Sequence, residues 1–164
     1  MALEIREANL NDEADAAGIV AVLDDYARGE MGGGAPLSSE VRRRLIPALR
    51  EQQQALVLVA VDAPQVVGVA TCFFGFSTFA AKPLLNVHDL AVLPAFRGRG
   101  IGRALLELAE KAALARGAVK LTLEVRQDNA RARQLYAQHG FRDFELAGVA
   151  YATLFLSKPL TPEK

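Results

Sequence analysis

The sequence predicts an α/β domain, a mixed sheet with helices on both faces, and three observations carry that expectation. Apolar runs of strand length, bounded by Gly, Pro or Asp, recur along the chain, as in "ALVLVAVD" (55–62) and "VVGVATCFFGF" (66–76). Other segments repeat their apolar residues at helical spacing and stop at a glycine. The succession of strand, glycine-rich loop, helix and strand over residues 85–125 requires a right-handed crossover between parallel strands.

Taken in order, "LEIREA" (3–8) alternates apolar and polar residues and reads as a first strand. Asn11 or Asp12 caps a helix through about Tyr26, with Ile19, Val20, Leu23 and Ala27 at helical spacing. "GEMGGGAP" (29–36) cannot continue it, because glycine loses the most backbone entropy on ordering and Pro36 closes the segment. Ser38 or Ser39 caps a second helix, "SEVRRRLIPALREQ", which Pro47 is expected to kink or shorten. Strands at 55–62 and 66–76 are joined by the turn "DAPQ", and "STFAAKP" leads to a strand at 85–93. After the glycine loop, Ile101, Leu105, Leu108, Ala112 and Ala115 make one apolar helix face, ended by Gly117. "VKLTLEV" (119–125) is strand-like, and "NARARQLYAQHG" is helix-like with Gly140 as its stop. Residues 141–146 and 149–157 read as a closing hairpin. One domain is expected over 1–158, with a loose tail at 159–164.

Composition narrows the function. The 164 residues are 51% hydrophobic, enough for one packed core and against disorder. Lys plus Arg and Asp plus Glu both number 19, without the basic surplus that nucleic-acid binding draws on. The single cysteine, Cys72, lies inside an apolar run and reads as a buried spectator thiol. Cys72, His88 and His139 have no metal-ligand spacing, so no metal is expected. The N-terminus is acidic and without a signal-like apolar stretch, and no apolar segment nears the ~20 residues that span a bilayer. A soluble, cytoplasmic protein that engages neither membrane nor nucleic acid is expected.

The stretch "HDLAVLPAFRGRGIGRALLELAEKA" (88–112) carries the chemistry. The first N–H groups of a helix have no intrahelical partners, and the helix dipole adds positive potential there. Glycines let an anion approach those groups without a Cβ in the way. "RGRGIG" is therefore a candidate phosphate cradle, with Arg97, Arg99 and Arg103 close by; a tight turn without a ligand is the competing reading. The dinucleotide pattern G-x-G-x-x-G fails because Arg103 stands where its third glycine would be, and the P-loop pattern is absent.

"LAVLPAFRGRGIGRALL" resembles the acetyl-coenzyme A motif of the GCN5-related N-acetyltransferase (GNAT) superfamily, and "NARARQLYAQHGF" resembles that family's N-x-x-A-x-x-L-Y-x-x-x-G-F helix. The resemblance implies a mostly antiparallel sheet of about seven strands with a splayed parallel central pair. It implies acetyl-CoA as cosubstrate and acetyl transfer to an amine by direct attack on the thioester. The pyrophosphate would sit on the N–H groups of Arg97, Gly98, Arg99, Gly100, Ile101, Gly102 and Arg103. Leu90 and Val92 would offer backbone groups to the pantetheine arm, with an N–H near Leu90 or Ala91 polarising the thioester carbonyl. Tyr136 falls on the family's tyrosine acid, although packing beside Leu135 would also explain it. Asn129 would contact the CoA arm or cap its helix.

Part of the chain, "FSTF…LLNVHDLAVLP", is similar to the diamine and thialysine acetyltransferases of that superfamily, which carry glutamate then aspartate on the fourth strand. Here His88 precedes Asp89. An imidazole titrates near pH ~6.5 and is mostly neutral at pH 7, so His88 is a candidate base, with Glu124 in reserve. Adjacent strand residues face opposite ways, so a dyad of His88 and Asp89 does not follow from their adjacency. Asp89, Tyr26, Glu30 and Phe79 are candidate contacts for a small polyamine-like or amino-acid-like acceptor, and a homodimer is a family-based expectation. The rival reading is a non-catalytic acyl-CoA-binding regulator, against which Tyr136 argues.

Overall fold

The computed structural model describes residues 3–160. Its elements are β1 (Glu4–Glu7), α1 (Glu13–Arg28), α2 (Ser39–Glu51), β2 (Ala55–Asp62), β3 (Gln65–Ser77), β4 (Lys82–Val92), α3 (Ile101–Ala115), β5 (Leu121–Leu123), α4 (Ala130–Gln138), β6 (Phe144–Leu146) and β7 (Val149–Tyr151). β1 to β5 form one sheet in sequence order. Every pair in it is antiparallel except β4 and β5, which run parallel.

The two-residue period of β2 explains why the sheet is covered on both faces. Val57 and Val59 pack with Ile19 and Val22 of α1 and Ile46 and Leu49 of α2. Leu56, Leu58 and Ala60 point the other way, into a layer made by Ile101, Leu105, Leu106 and Ala109 of α3. Leu135 and Tyr136 of α4 close the rim of that second layer.

Local signals place most helix ends. The Asp12 carboxylate accepts from Asp15 N–H at 2.9 Å, and Ser38 Oγ accepts from Val41 N–H at 3.1 Å. Pro47 does not shorten α2, which runs on to Glu51. Ile46 and Leu49 are buried on either side of it, so packing of the apolar stripe offsets the lost backbone bond. Buried Asp15 takes both guanidinium nitrogens of Arg6 at 2.6 and 2.8 Å, which ties β1 to α1 and holds its carboxyl below the usual range.

Among the described residues seven strands are present, but in two sheets: β6 and β7 pair only with each other. The expected strand at 119–125 pairs only over 121–123, a ladder too short to hold the rest of the sheet, and every residue of β6 and β7 is exposed. The fourth strand starts earlier than expected, at Lys82, because β3 continues to Ser77 and the two zip to their turn. Of the tail expected at 159–164, residues 161–164 lie outside the described residues.

Candidate active site

The last parallel rung joins Val87 to Leu123. Beyond it β4 continues through Leu90, Ala91 and Val92, while the chain after β5 turns away, so the two strands splay. A groove of about 720 Å³ opens there between the end of α1, the start of α3 and α4.

The floor of the groove is the N-terminus of α3. Gly98 and Gly100 have φ of +77° and +78°, a left-handed conformation that costs other residues ~1–2 kcal/mol, and neither has an atom within 4 Å of where a Cβ would stand. No side chain caps α3, and its backbone ladder starts only with Ala104 N–H donating to Gly100 O at 3.0 Å. The N–H groups of the first turn are thus left without a cap, the arrangement that suits an anion. Gly102 lines the groove too, and a Cβ there would lie 3.1 Å from Leu135 Cδ2, so it also lets α4 approach α3 closely.

The arginines of the loop are largely engaged in holding its shape. Arg97 Nε donates to Val92 O at 2.9 Å, which also takes up that strand carbonyl. Arg99 donates to Ala95 O at 3.2 Å and lies over the Phe96 ring. Arg103 pairs with Glu107 at 2.9 Å. The backbone amides, rather than the guanidinium groups, are therefore the donors left without a partner here.

One wall carries Asp25, Tyr26 and Glu30, and the opposite wall carries Asn129 and Tyr136. Among the described residues Asp25 and Glu30 have no ion-pair partner, which leaves two carboxylates free at the groove. Tyr26 donates to Met31 O at 3.3 Å. Asn129 Oδ1 caps α4 by accepting from Ala132 N–H at 3.1 Å. The Tyr136 ring meets Phe141 edge-on, and burial, with a smaller contribution from Tyr26, pushes its phenol up to about 12. That hydroxyl stays protonated at neutral pH. Arg126, which no sequence pattern singled out, links the walls by donating to Glu30 O at 3.1 Å while pairing with Asp128 at 2.7 Å. Asp24, by contrast, is spent on structure: it accepts from Arg28 and from Leu37 N–H, fixing the far end of the 29–37 loop.

His88 and Asp89 lie beside the groove on β4. A register shift pairs Thr71 with Asp89 and Cys72 with Val87, leaving His88 as the extra residue of a β-bulge. The bulge overturns the expected alternation. Asp89 accepts from the Thr71 hydroxyl and His88 meets the Phe73 ring edge-on at 5.6 Å. Thr71 and Phe73 are two apart on β3, so both partners sit on the α1–α2 face. Glu124 reaches the same neighbourhood, where Asn86 Nδ2 lies 3.3 Å from each of its carboxylate oxygens. Phe79 is fully exposed at the β3–β4 turn, away from the groove. Buried Cys72 has its thiol pushed up to about 12 by desolvation, and so is unreactive at neutral pH.

This geometry agrees with the relationships of the sequence. Residues 19–141 match the model of the acetyltransferase (GNAT) family, and the chain belongs to that family. It is an enzyme of acetyl transfer. It is 33% identical over 146 residues to an uncharacterized N-acetyltransferase of Archaeoglobus fulgidus, covering 89% of this chain and 97% of that one. A thialysine N-epsilon-acetyltransferase of Bos taurus is 35% identical over 92 residues, 54% of each chain. Among solved structures, an aminoglycoside acetyltransferase from a soil metagenome shares the fold with a TM-score of 0.71 at 23% identity, covering 93% of this chain and 97% of that one.

Proposed function

We propose that the enzyme transfers the acetyl group of acetyl-CoA to the primary amine of a small cationic acceptor. The observation that carries this reading is the meeting, in one groove, of an uncapped helix N-terminus, a splayed strand and a half-buried, protonated phenol. A Cβ at Gly98 or Gly100 would stand in the open groove, so these glycines keep the approach to the α3 amides clear for a pyrophosphate. Leu90 and Ala91 offer strand backbone to the pantetheine arm, as an added strand would use it. With its carbonyl bound by Arg97, Val92 contributes chiefly surface.

Tyr136 supports the departing sulfur. Its phenol, pushed up to about 12, is much less acidic than a thiol of ~8.5, so full proton transfer to a free thiolate runs uphill. Its contribution is therefore a hydrogen bond that strengthens as negative charge develops on sulfur. The acceptor ammonium must lose a proton before it attacks, and His88 and Glu124 are the bases on the α1–α2 face of the splayed strands. Asp25 and Glu30 favour a cationic acceptor, while the Asp89 carboxylate is engaged by the Thr71 hydroxyl. The thialysine-acetylating relative is consistent with a side-chain amine.

The direct check of the cosubstrate is thermal denaturation with acetyl-CoA, NAD or ATP at equal concentration. Acetyl-CoA at ~100 times its dissociation constant adds about 2.7 kcal/mol to native stability, and the other two add much less. Equal shifts from all three would remove acetyl-CoA from the account.

A further inference from the structure

His139 is a largely buried titratable side chain that the proposed chemistry leaves unused. It caps the C-terminal end of α4 with only 9% of its side chain exposed. Its Nε2 is the one buried side-chain polar atom without a hydrogen-bond partner among the described residues. Shutting such an atom away from water is costly, so native structures give it a partner or a purpose. Glu110 of α3 is the acid within reach: its Oε2 lies 3.3 Å from Nε2, near enough to pair although hydrogen-bond geometry is not met. The Glu110 side chain is half-exposed and has no other ion-pair partner among the described residues, so a turn of its carboxylate closes the bond.

From this pair a run of contacts leads back to the groove. Gly140, with φ of +89°, turns the chain so that Phe141 returns to the helix, where its N–H donates to Tyr136 O at 2.9 Å. The Phe141 ring then meets two others: His139, stacked with centroids 6.2 Å apart, and Tyr136, edge-on at 5.8 Å. Glu110, His139, Phe141 and Tyr136 therefore connect α3 to the phenol without a gap. α4 needs such a fixture. It has nine residues, none of them fully buried, and Leu135 against Gly102 grips α3 one turn earlier than His139 does.

We propose that His139, held by Glu110, is a positioning residue for acetyl transfer: the pair fixes the end of α4 on α3 and, through Phe141, aims the Tyr136 hydroxyl at the departing sulfur. The inference rests on the part proposed for Tyr136 and adds what sets its aim. A donor that must meet charge as it develops loses its effect steeply when misplaced, ~1 Å costing up to ~10²-fold in rate. The α3 amides lie at the other end of that helix, and Asp25 and Glu30 lie on α1 and the turn after it. Loss of the pair should therefore fall on kcat and spare both acetyl-CoA affinity and the acceptor KM.

The test is a double-mutant cycle on kcat. Glu110→Ala, at a half-exposed position, removes the partner of His139 and should lower kcat roughly 3- to 10-fold, less than Tyr136→Phe does because the hydroxyl stays in the groove. His139→Leu should match it, and Glu110→Gln, which keeps an oxygen acceptor, should recover most of the rate. In the Tyr136→Phe background Glu110→Ala should cost less than about twofold, since no hydroxyl is left to aim. A second readout needs no substrate. With carbon-13-labelled tyrosine, the ring signal lost in Tyr136→Phe belongs to Tyr136, and it should shift in Glu110→Ala, whose site reaches that ring through His139 and Phe141. Parental kcat in Glu110→Ala overturns the proposal, and so does a Tyr136 signal that stays in place. An equal fold-loss in the two backgrounds overturns it as well, because the effect then has no link to the hydroxyl. Parental kcat in Tyr136→Phe alone removes the role of Tyr136 and this proposal with it, a failure that the single variant reads separately from the others.

Discussion

Gly100 and Gly117 provide a matched pair that separates the cradle from the fold. Both are left-handed, with φ of +78° and +71°, and both have open space where a Cβ would stand. Alanine at either position therefore meets no clash and costs only the backbone strain, ~1–2 kcal/mol. In a domain of this size that corresponds to a fall in Tm of roughly 2–8 °C, the same for both variants. The two differ in location, since Gly100 lines the groove at the α3 N-terminus and Gly117 ends the helix at its far side. A methyl at Gly100 displaces the pyrophosphate from at least one α3 amide, and a hydrogen bond to a charged group is worth ~1.5–3 kcal/mol. Gly100→Ala should therefore raise the acetyl-CoA dissociation constant by roughly 10- to 150-fold, and Gly100→Val by more. Gly117→Ala should leave it unchanged. Titration calorimetry on both variants, with Tm alongside, reads the difference. Parental affinity in Gly100→Ala would refute the cradle, and equal losses in the two variants would show that the effect is only loss of fold.

Three further expectations follow from named contacts. Asp15→Asn should destabilise the fold by about 2–3 kcal/mol at pH 7, because it breaks the bidentate contact that joins β1 to α1. The Asp15 carboxyl is held below its unfolded value, so its contribution is present above that value and is lost as pH falls through the folded one. Urea titrations should show the variant and parent converging at acid pH, and a constant gap would rule out the ion pair as the cause. Arg126→Ala releases the cross-link to Glu30 and should raise the acceptor KM several-fold and expose the 29–36 loop to proteolysis, with acetyl-CoA affinity nearly kept; unchanged KM and cleavage would make the contact incidental. His88→Gln and Glu124→Gln divide the base role. The variant lacking the base should be slow at neutral pH and recover in part at higher pH, where more amine is unprotonated, whereas two parental profiles would leave the proton to water.

The fold was legible because its signals are local and redundant. Asp12, Ser38 and Asn129 cap the helices they precede, and the alternation of β2 declares both faces of the sheet. The cradle was legible for the same reason, since positive φ at Gly98 and Gly100 is what adjacent glycines before a helix permit. What escaped depends on partners distant in sequence. The bulge that brings His88 and Asp89 to one face is a property of β3 pairing with β4, and strict alternation cannot show it. Arg126 meets Glu30 across 96 positions, from a polar run without periodicity. The packing role of Gly102 escaped for the same reason, since its neighbour Leu135 belongs to the next helix. The closing hairpin was read correctly as two strands, but whether they join the sheet depends on how much edge β5 offers.

The central claim is that this groove moves an acetyl group from acetyl-CoA to an amine with the help of Tyr136. Its most direct measurement is thiol release from acetyl-CoA across a panel of polyamines, amino acids and aminoglycosides, for the parent and for Tyr136→Phe. The substitution keeps the ring against Phe141 and removes one hydroxyl, which makes no hydrogen bond to other described residues, so Tm should change little. The account predicts amine-dependent release by the parent, and a kcat lower by roughly 10²-fold in Tyr136→Phe with acetyl-CoA affinity nearly unchanged. Release that ignores every amine, or a Tyr136→Phe variant with parental kcat on the best acceptor, would contradict it.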